Sequence, residues 1–418
     1  MDRRSSDLYR SRARGLAHMS LEDYQTEFVQ SATEISNDLW DACFQPSVEG
    51  RWWYESLEQS GLEDQFRFLY GLIRYLGRPV GIAPVFAMDV PIDQVAPQEF
   101  LRLLRVVGKV LPSILFQRTL FVGSPGLDES RVGVTAGVNR RDALLSFQLG
   151  LDKKAKEIGA ELIVWKDFPE SSSNDFDWLS RQKRLFRVVS YPNTQIEFSS
   201  NRKEDYFAAL KGTRRRKLKT KLKRSGELAA LDVEIVHHPD EKTLDDIFAL
   251  FWQTYEKSET KFERLNRKFF ELMAEKEVTR FVLLREPATQ ELVAFMLCYE
   301  LGEWLVNKFI GMDYSRPREW MLYFRLWEAV VDLALSRGFA GIVSGQLCYE
   351  AKIEIGHRLV PSYNYCRHRN PFKHYLYSLL AQRIDWASLD QALARFLAAH
   401  PEDVAPEAAG STLKAWFR

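Results

Sequence analysis

Cysteine is scarce in this chain: 418 residues contain four, Cys43, Cys298, Cys348 and Cys366. None stand at the spacing a zinc site uses, so no metal centre is expected, and the thiols read as reduced, as in the cytoplasm. An excess of charge of one sign is missing too. Lys and Arg number 58 against 57 Asp and Glu, a formal +1, which gives no overall pull toward nucleic acid, an anionic membrane or an acidic substrate. No run approaches the roughly 18 apolar residues of a membrane span, and the opening MDRRSSDLYRSRARG has no apolar signal core, so a soluble cytoplasmic protein is expected. Catalytic signatures are lacking as well. There is no Gly-x-Ser-x-Gly elbow, no His-Glu-x-x-His and no Gly-x-x-x-x-Gly-Lys-Ser/Thr loop, and hydrolases and nucleotide-driven enzymes lose ground accordingly.

What is present is ample core. Hydrophobic residues make up 46% and aromatics 13%, enough at this length for two packed domains. Residues 1–20 are Arg- and Ser-rich and predict a flexible terminus. Helical spacing follows in 21–44 and 51–61, then a strand hairpin over 65–90 turning at Gly77, Arg78 and Pro79. A helix over 98–115, a strand over 118–123, the loop Gly123-Ser124-Pro125-Gly126, a helix over 140–159 and a strand over 161–168 complete the first half. This order predicts an α+β fold, helices on an α/β mixed sheet.

The second half repeats the theme. A strand at 231–238 precedes helices at 241–258 and 266–277 and a hairpin over 278–301. Strand EWLVNKFIGM (303–312) then leads through DYSRPRE into a helix over 320–338 that Gly338 ends, a short strand GIVSGQ (341–346) and a helix over 348–359. SYNYCRHR alternates as an edge strand would. The repeat implies duplication and the following division: 21–200 a first unit, 201–230 a basic linker helix, 231–382 a second unit, 383–418 a C-terminal helix and tail.

This order resembles the GNAT N-acyltransferase fold, and the tandem arrangement is similar to its FemAB-like and CelD/BcsL-like branch, best from about Tyr206 to Tyr365. The basic segment LKGTRRRKLKTKLKR, the strand-turn KFIGMDYSRP and GQLCYEAKIEIG carry the resemblance. It implies two tandem GNAT-like domains, the first degenerate and on the acceptor side, the second holding donor and catalysis. No tightly bound cofactor is implied; acyl-CoA or an acyl-carrier protein serves as co-substrate, and the acceptor is an amine of a peptide, amino acid or amino sugar. One departure stands out. Where acetyl-CoA enzymes of this superfamily carry a glycine-rich pyrophosphate loop, this chain has Tyr314-Ser315-Arg316-Pro317-Arg318-Glu319, so Arg316 and Arg318 would meet phosphate by side chain instead. Some members of the branch use aminoacyl-tRNA, and that donor remains an alternative.

Candidate site residues follow from that frame. Asn307 and Lys308 are neighbours on an apolar strand, and since neighbours face opposite sides, one of them lines a cleft. The donor thioester is expected between this strand and the one ending at Ser344 and Gly345, with backbone hydrogen bonds near Phe309, Ile310 and Gly311. Tyr349 would protonate the leaving thiolate, Glu350 or His357 would take the proton of the attacking ammonium, and Lys352 and Gln346 would contact the donor. Plainer readings stand beside these. Glu350 also suits a helix N-terminus, Glu354 and Arg358 an ion-pair row, and His357 a core position. The basic run 211–224 is either a linker helix docked by Leu218 and Leu222, or a steering surface for a phosphate-bearing donor through Arg214, Arg215 and Lys219. A third reading gives that segment to nucleic acid in a non-catalytic binding protein.

Overall fold

The computed structural model describes residues 21–44, 47–91, 116–258 and 263–399; the helix expected over 98–115 and the flexible terminus expected over 1–20 lie outside them. The first unit contains β1 (Tyr24–Val29), α1 (Asn37–Cys43), α2 (Arg51–Gln59), β2 (Arg67–Tyr75), β3 (Arg78–Pro91), β4 (Phe116–Val122), β5 (Gly133–Val134), α3 (Arg140–Glu157), β6 (Leu162–Pro169), α4 (Ser173–Lys183), β7 (Phe186–Val189) and β8 (Asn193–Glu197). The second contains α5 (Lys203–Ala209), α6 (Gly212–Leu228), β9 (Asp232–Val236), α7 (Glu241–Lys257), α8 (Arg267–Ala274), β10 (Thr279–Arg285), β11 (Leu292–Leu301) and β12 (Trp304–Met312). It continues with α9 (Leu322–Arg337), β13 (Gly341–Val343), α10 (Tyr349–Glu354), β14 (Arg358–Val360), β15 (Ser362–His368), α11 (Pro371–Ala381), α12 (Trp386–Leu389) and α13 (Gln391–Ala399).

The strands form two mixed sheets of the same plan. One runs β1-β2-β3-β4-β6-β15-β7, the other β9-β10-β11-β12-β13-β8-β14. In each, four antiparallel strands meet a fifth in parallel, β4 with β6 and β12 with β13, and an antiparallel pair closes the sheet. The sixth strands are exchanged. β8 crosses from the first half into the second sheet, and β15 crosses back into the first. A division at 200 and 231 therefore follows the chain but not the hydrogen bonds.

Burial explains the sequence pattern. β11, LVAFMLCYEL, is buried on both faces, hence its continuous apolar run. Between the sheets lies a shared aromatic core in which Trp53, Phe66, Phe86 and Phe121 join Phe251, Phe269, Phe270 and Phe295. The outer face of the first sheet is covered by α3 and α4 with Tyr349 and Ile353 of α10. The outer face of the second is covered by α5, α6 and α9. Helices begin where side chains cap them: Asn139 accepts from Arg141 and Asp142, Asp240 from Thr243 and Asn266 from Phe269. Gly338 ends α9 at φ +75° as expected.

Three expectations are corrected. The helix placed over 21–44 is strand β1 followed by a 3₁₀ turn and short α1, because Tyr24–Val29 pairs residue by residue with Tyr75–Tyr70. SYNYCRHR is no edge: β15 lies between β6 and β7. The helix over 348–359 stops at Glu354, Gly356 turns the chain at φ +102°, and Arg358–Val360 pairs with β8.

Candidate active site at the junction of the two units

β12 and β13 pair in parallel only from Trp304↔Gly341 to Val306↔Val343. Beyond that β13 gives way to Ser344-Gly345-Gln346 while β12 continues to Met312, and the strands part. Asn307, 8% exposed, donates from Nδ2 to Ser344 Oγ at 3.1 Å across the first step of the split. The path of the strand exit is held by one ammonium: buried Lys352 Nζ donates to the carbonyls of Ser344 (2.6 Å), Gly345 (3.1 Å) and Gln346 (2.9 Å). Burial pushes its pKa down to about 8, while three carbonyls arranged around it solvate the charged form.

The mouth of this split is walled by the other unit. After β4 the loop through Gly123-Ser124-Pro125-Gly126 crosses over. Asp128 pairs there with Lys308 and approaches Gly345 so closely that a Cβ would overlap its carboxylate. Asn193 Nδ2 donates to the Asp128 carbonyl at 2.8 Å, and Gln346 Nε2 stands 3.5 Å from it. Lys166, past the end of the first unit's own parallel pairing, donates to Leu127 O at 2.7 Å and pairs with Asp167 at 2.5 Å. Glu263 accepts from Gly126 N at 2.7 Å. Burial works to raise the Asp128 pKa, but Lys308, Lys166 and Lys352 together hold it below the ordinary carboxylate value. Glu263 goes the other way: burial raises it even against Lys166 and Lys308. The junction thus holds two carboxylates whose pKa values are moved in opposite directions, Asp128 down and Glu263 up.

Of the residues singled out from the sequence, the fold brings Asn307, Lys308, Gln346 and Lys352 to this split. It turns others away. Tyr349 is buried in the first unit's helix layer and its hydroxyl donates to Pro192 O at 2.8 Å, so its proton is committed to a carbonyl. Glu350 points outward to Arg395 at 3.2 Å, both side chains more than two-thirds exposed. His357 is buried against the Trp327 ring, 4.6 Å between centroids, with neither ring nitrogen hydrogen-bonded. Burial, then Lys352, pushes its pKa well below normal, so it stays neutral. Lys352 is a scaffold for carbonyls rather than an anion contact. Phe309 packs against Phe269 at 5.4 Å. At Gly311 a Cβ would come within 2.6 Å of the α7 backbone, so this glycine admits the helix rather than a ligand. Asp128, Lys166, Asp167 and Glu263 were not singled out. They come from separate segments, and only the Gly123–Gly126 loop beside Asp128 carried a sequence signal.

The expected phosphate contacts divide. Arg316 is bound by three carboxylates, Asp313 (2.9 Å), Glu286 (3.1 Å) and Glu291 (2.5 Å), which leaves its guanidinium no free edge. Arg318 is exposed beside the start of α9, where Met321 precedes the helix with no side-chain cap. The basic helix α6 lies along α9: Leu218 is buried beneath it, Ser225 Oγ donates to Trp320 O at 2.6 Å, and Lys221 stands over the Phe324 ring at 4.4 Å and pairs with Glu354. Lys219 lies over Phe207 at 4.8 Å, and Arg214 and Arg215 are half-buried, Arg215 reaching Ala208 O at 3.3 Å.

Four antiparallel strands, a parallel fifth that splits away and a helix after the fourth strand define the class: residues 212–344 match the family described as acetyltransferase (GNAT) domain. The fold is that of two units of one plan in tandem, and the second holds the residues that match the GNAT domain. Among solved structures it is similar to FemX, with a TM-score of 0.53 at 12% identity over 84% of this chain and 100% of that one. It is also similar to a tandem GNAT protein from the clavulanic acid biosynthesis pathway (0.48, 10%, 83% and 99%) and to L-PGS from Bacillus licheniformis (0.46, 11%, 78% and 95%). No curated protein matches the chain in sequence. Among the described residues no helix is long and apolar enough to cross a membrane.

Proposed function

We propose that the protein is an N-acyltransferase that moves an acyl group from a thioester, acyl-CoA or acyl-carrier protein, to an amine of a peptide, amino acid or amino sugar. The observation that carries this reading is the split between β12 and β13, bridged by Asn307 and Ser344 and closed by Asp128 of the other unit. The acyl end of the donor lies in the split, where Asn307 polarises the thioester carbonyl. The acceptor approaches from the junction and its ammonium takes Lys308's place on Asp128. Glu263 accepts one ammonium proton, the amine nitrogen bonds to the carbonyl carbon, the carbon–sulfur bond breaks, the thiolate leaves with a proton from the freed Lys308, and the neutral Lys308 amine takes the second proton from the nitrogen. Arg318 and the uncapped start of α9 receive the donor's phosphates, with α6 beside them.

Purified protein incubated with acyl-CoA and acyl-carrier protein, against panels of peptides, amino acids and amino sugars, is expected to release free thiol only when an amine is present. Glu263→Gln should lower kcat by about 10²-fold or more with KM for the donor little changed. Thiol release that ignores the amine, or no release from any thioester by folded protein, overturns the reading. A second donor is favoured by one observation. The locked Arg316 and the glycine-free turn leave the pyrophosphate cradle incomplete, and product formed only from aminoacyl-tRNA would move the protein to that chemistry. Salt-dependent nucleic-acid binding without any transfer would leave the binding role alone.

A further inference from the structure

His237 and His238 follow β9, the outermost strand of the second sheet, and Glu277 lies between α8 and β10. One ligand atom from each of the three side chains lies within 4.8 Å of the others. The two imidazoles lie against each other, ring centroids 3.7 Å apart and planes tilted by 33°. His237 Nε2 is 3.0 Å from Lys276 O and His238 Nδ1 is 2.8 Å from Ala274 O. A carbonyl only accepts, so each of these nitrogens carries the proton, and the other nitrogen of each ring, Nδ1 of His237 and Nε2 of His238, is left with its lone pair. This is the arrangement that orients a metal-binding histidine: the far N–H is tied to a backbone carbonyl, which fixes tautomer and ring plane before any ion arrives. Glu277 adds a carboxylate. Arg280, three residues after Glu277, is occupied with Glu300 at 2.7 Å and with the carbonyls of Glu277 and Thr279.

We propose that His237, His238 and Glu277 bind a divalent late first-row transition ion, zinc, cobalt or nickel, through two imidazole nitrogens and a carboxylate oxygen. Two nitrogens and one oxygen suit these ions rather than calcium or magnesium, which take oxygen sets. His238 and Glu277 are exposed and His237 is half-buried, which leaves further coordination positions to water. The ion ties the end of exposed strand β9 to the turn before β10 and uses none of the residues assigned to acyl transfer. Its effect is on stability: an ion that binds only the folded chain raises the melting temperature as its concentration passes the dissociation constant.

The test uses full-length protein titrated with zinc chloride and with cobalt chloride alone, followed by calorimetry, the visible spectrum of bound cobalt and thermal melting. Because Cys348 is exposed, the titration is repeated on Cys348→Ser. One equivalent is expected in both proteins, with a rising melting temperature and no thiolate-to-cobalt charge-transfer band. His238→Gln and Glu277→Gln should each weaken binding by more than about 10-fold while circular dichroism and acyl transfer stay unchanged. Equal metal affinity in wild type and in the His237→Ala/His238→Ala double variant overturns the proposal, as does binding lost on Cys348→Ser. Calcium or magnesium bound as tightly as zinc would overturn the assignment of ion class.

Discussion

Single side chains here are governed by what surrounds them more than by what they are. Glu49 is 3% exposed, takes hydrogen bonds from Tyr54 Oη (3.3 Å) and Arg131 N (3.2 Å), and has its pKa pushed by burial from 4.5 to about 8 despite Arg131. The folded chain therefore holds this proton more tightly than the unfolded one. The resulting stabilisation is complete below about pH 4.5 and is lost as pH rises to about 8, at up to about 1.4 kcal/mol per pH unit. Glu49→Gln should flatten the melting temperature between about pH 4.5 and about pH 8 and raise stability at and above the upper end; thermal melts across that range check it. Tyr349 and Glu350 make a second residue-scale test. Glu350→Gln should leave kcat untouched, since its partner is Arg395 on the surface. Tyr349→Phe strands the Pro192 carbonyl and should cost about 1–3 kcal/mol of stability, with kcat per folded molecule retained. A pH–rate profile that shifts with either variant would return this helix to the chemistry.

At the scale of elements, two helices are tied to the split in different ways. α10 acts through Lys352, whose three hydrogen bonds shape the exit from β13. Lys352→Met leaves three carbonyls without that donor, and we expect both a lower melting temperature and a lower kcat, with donor KM changed less. A pure rise in KM would restore Lys352 to the anion-contact role. α6 is docked through Leu218, and Leu218→Ala should cost about 2–5 kcal/mol. Its cations are another matter. Arg214→Glu with Lys219→Glu should raise donor KM and flatten its salt dependence while leaving the melting temperature nearly unchanged. If neither KM nor its salt dependence moves, the helix is a docked linker and nothing more.

On the scale of the whole molecule, the exchanged strands make the two units one folding entity. Without β15 the first sheet loses the strand between β6 and β7; without β8 the second loses the strand between β13 and β14. Chains cut between Glu197 and Lys203 should each fail to give a cooperative melt alone and recover it when mixed, because each fragment then lacks an inner strand, β15 or β8, and is left with two unpaired edges. Independent two-state melting of either half would show that the exchange is dispensable. The same closure places Asp128 and Glu263, from different units, on one split, so a fragment containing only the matched GNAT residues 212–344 would lack the Asp128 wall.

The order of elements was legible from the sequence wherever burial imposes a period or a run. β11 from Leu292 to Tyr299 and β10 from Phe281 to Leu284 are apolar because both faces are covered, α9 shows its solvated stripe and its terminal glycine, and the hairpins show their turns. The polar break at Asn307 in an apolar strand marked the split before any geometry was known. Where burial leaves no period, the reading failed: β1 is an edge strand with one well-buried residue, Tyr24, and its spacing imitates a helix. Which sheet a strand joins was not written locally either. β15 alternates as an edge strand would, yet its partners lie 174 (Tyr363↔Val189) to 206 (His368↔Leu162) residues earlier. The charged junction was the least visible. Asp128, Lys166, Asp167 and Glu263 share no motif, and Asp167 even holds φ +55° with its N–H on Asn364, a contact that exists only once β15 has crossed over. Local sequence determined the elements and the place where two strands part, because those depend on near neighbours. Which carboxylates and lysines face that place was decided by the exchange of strands and the packing of one sheet on the other, since only chain closure brings such distant segments together.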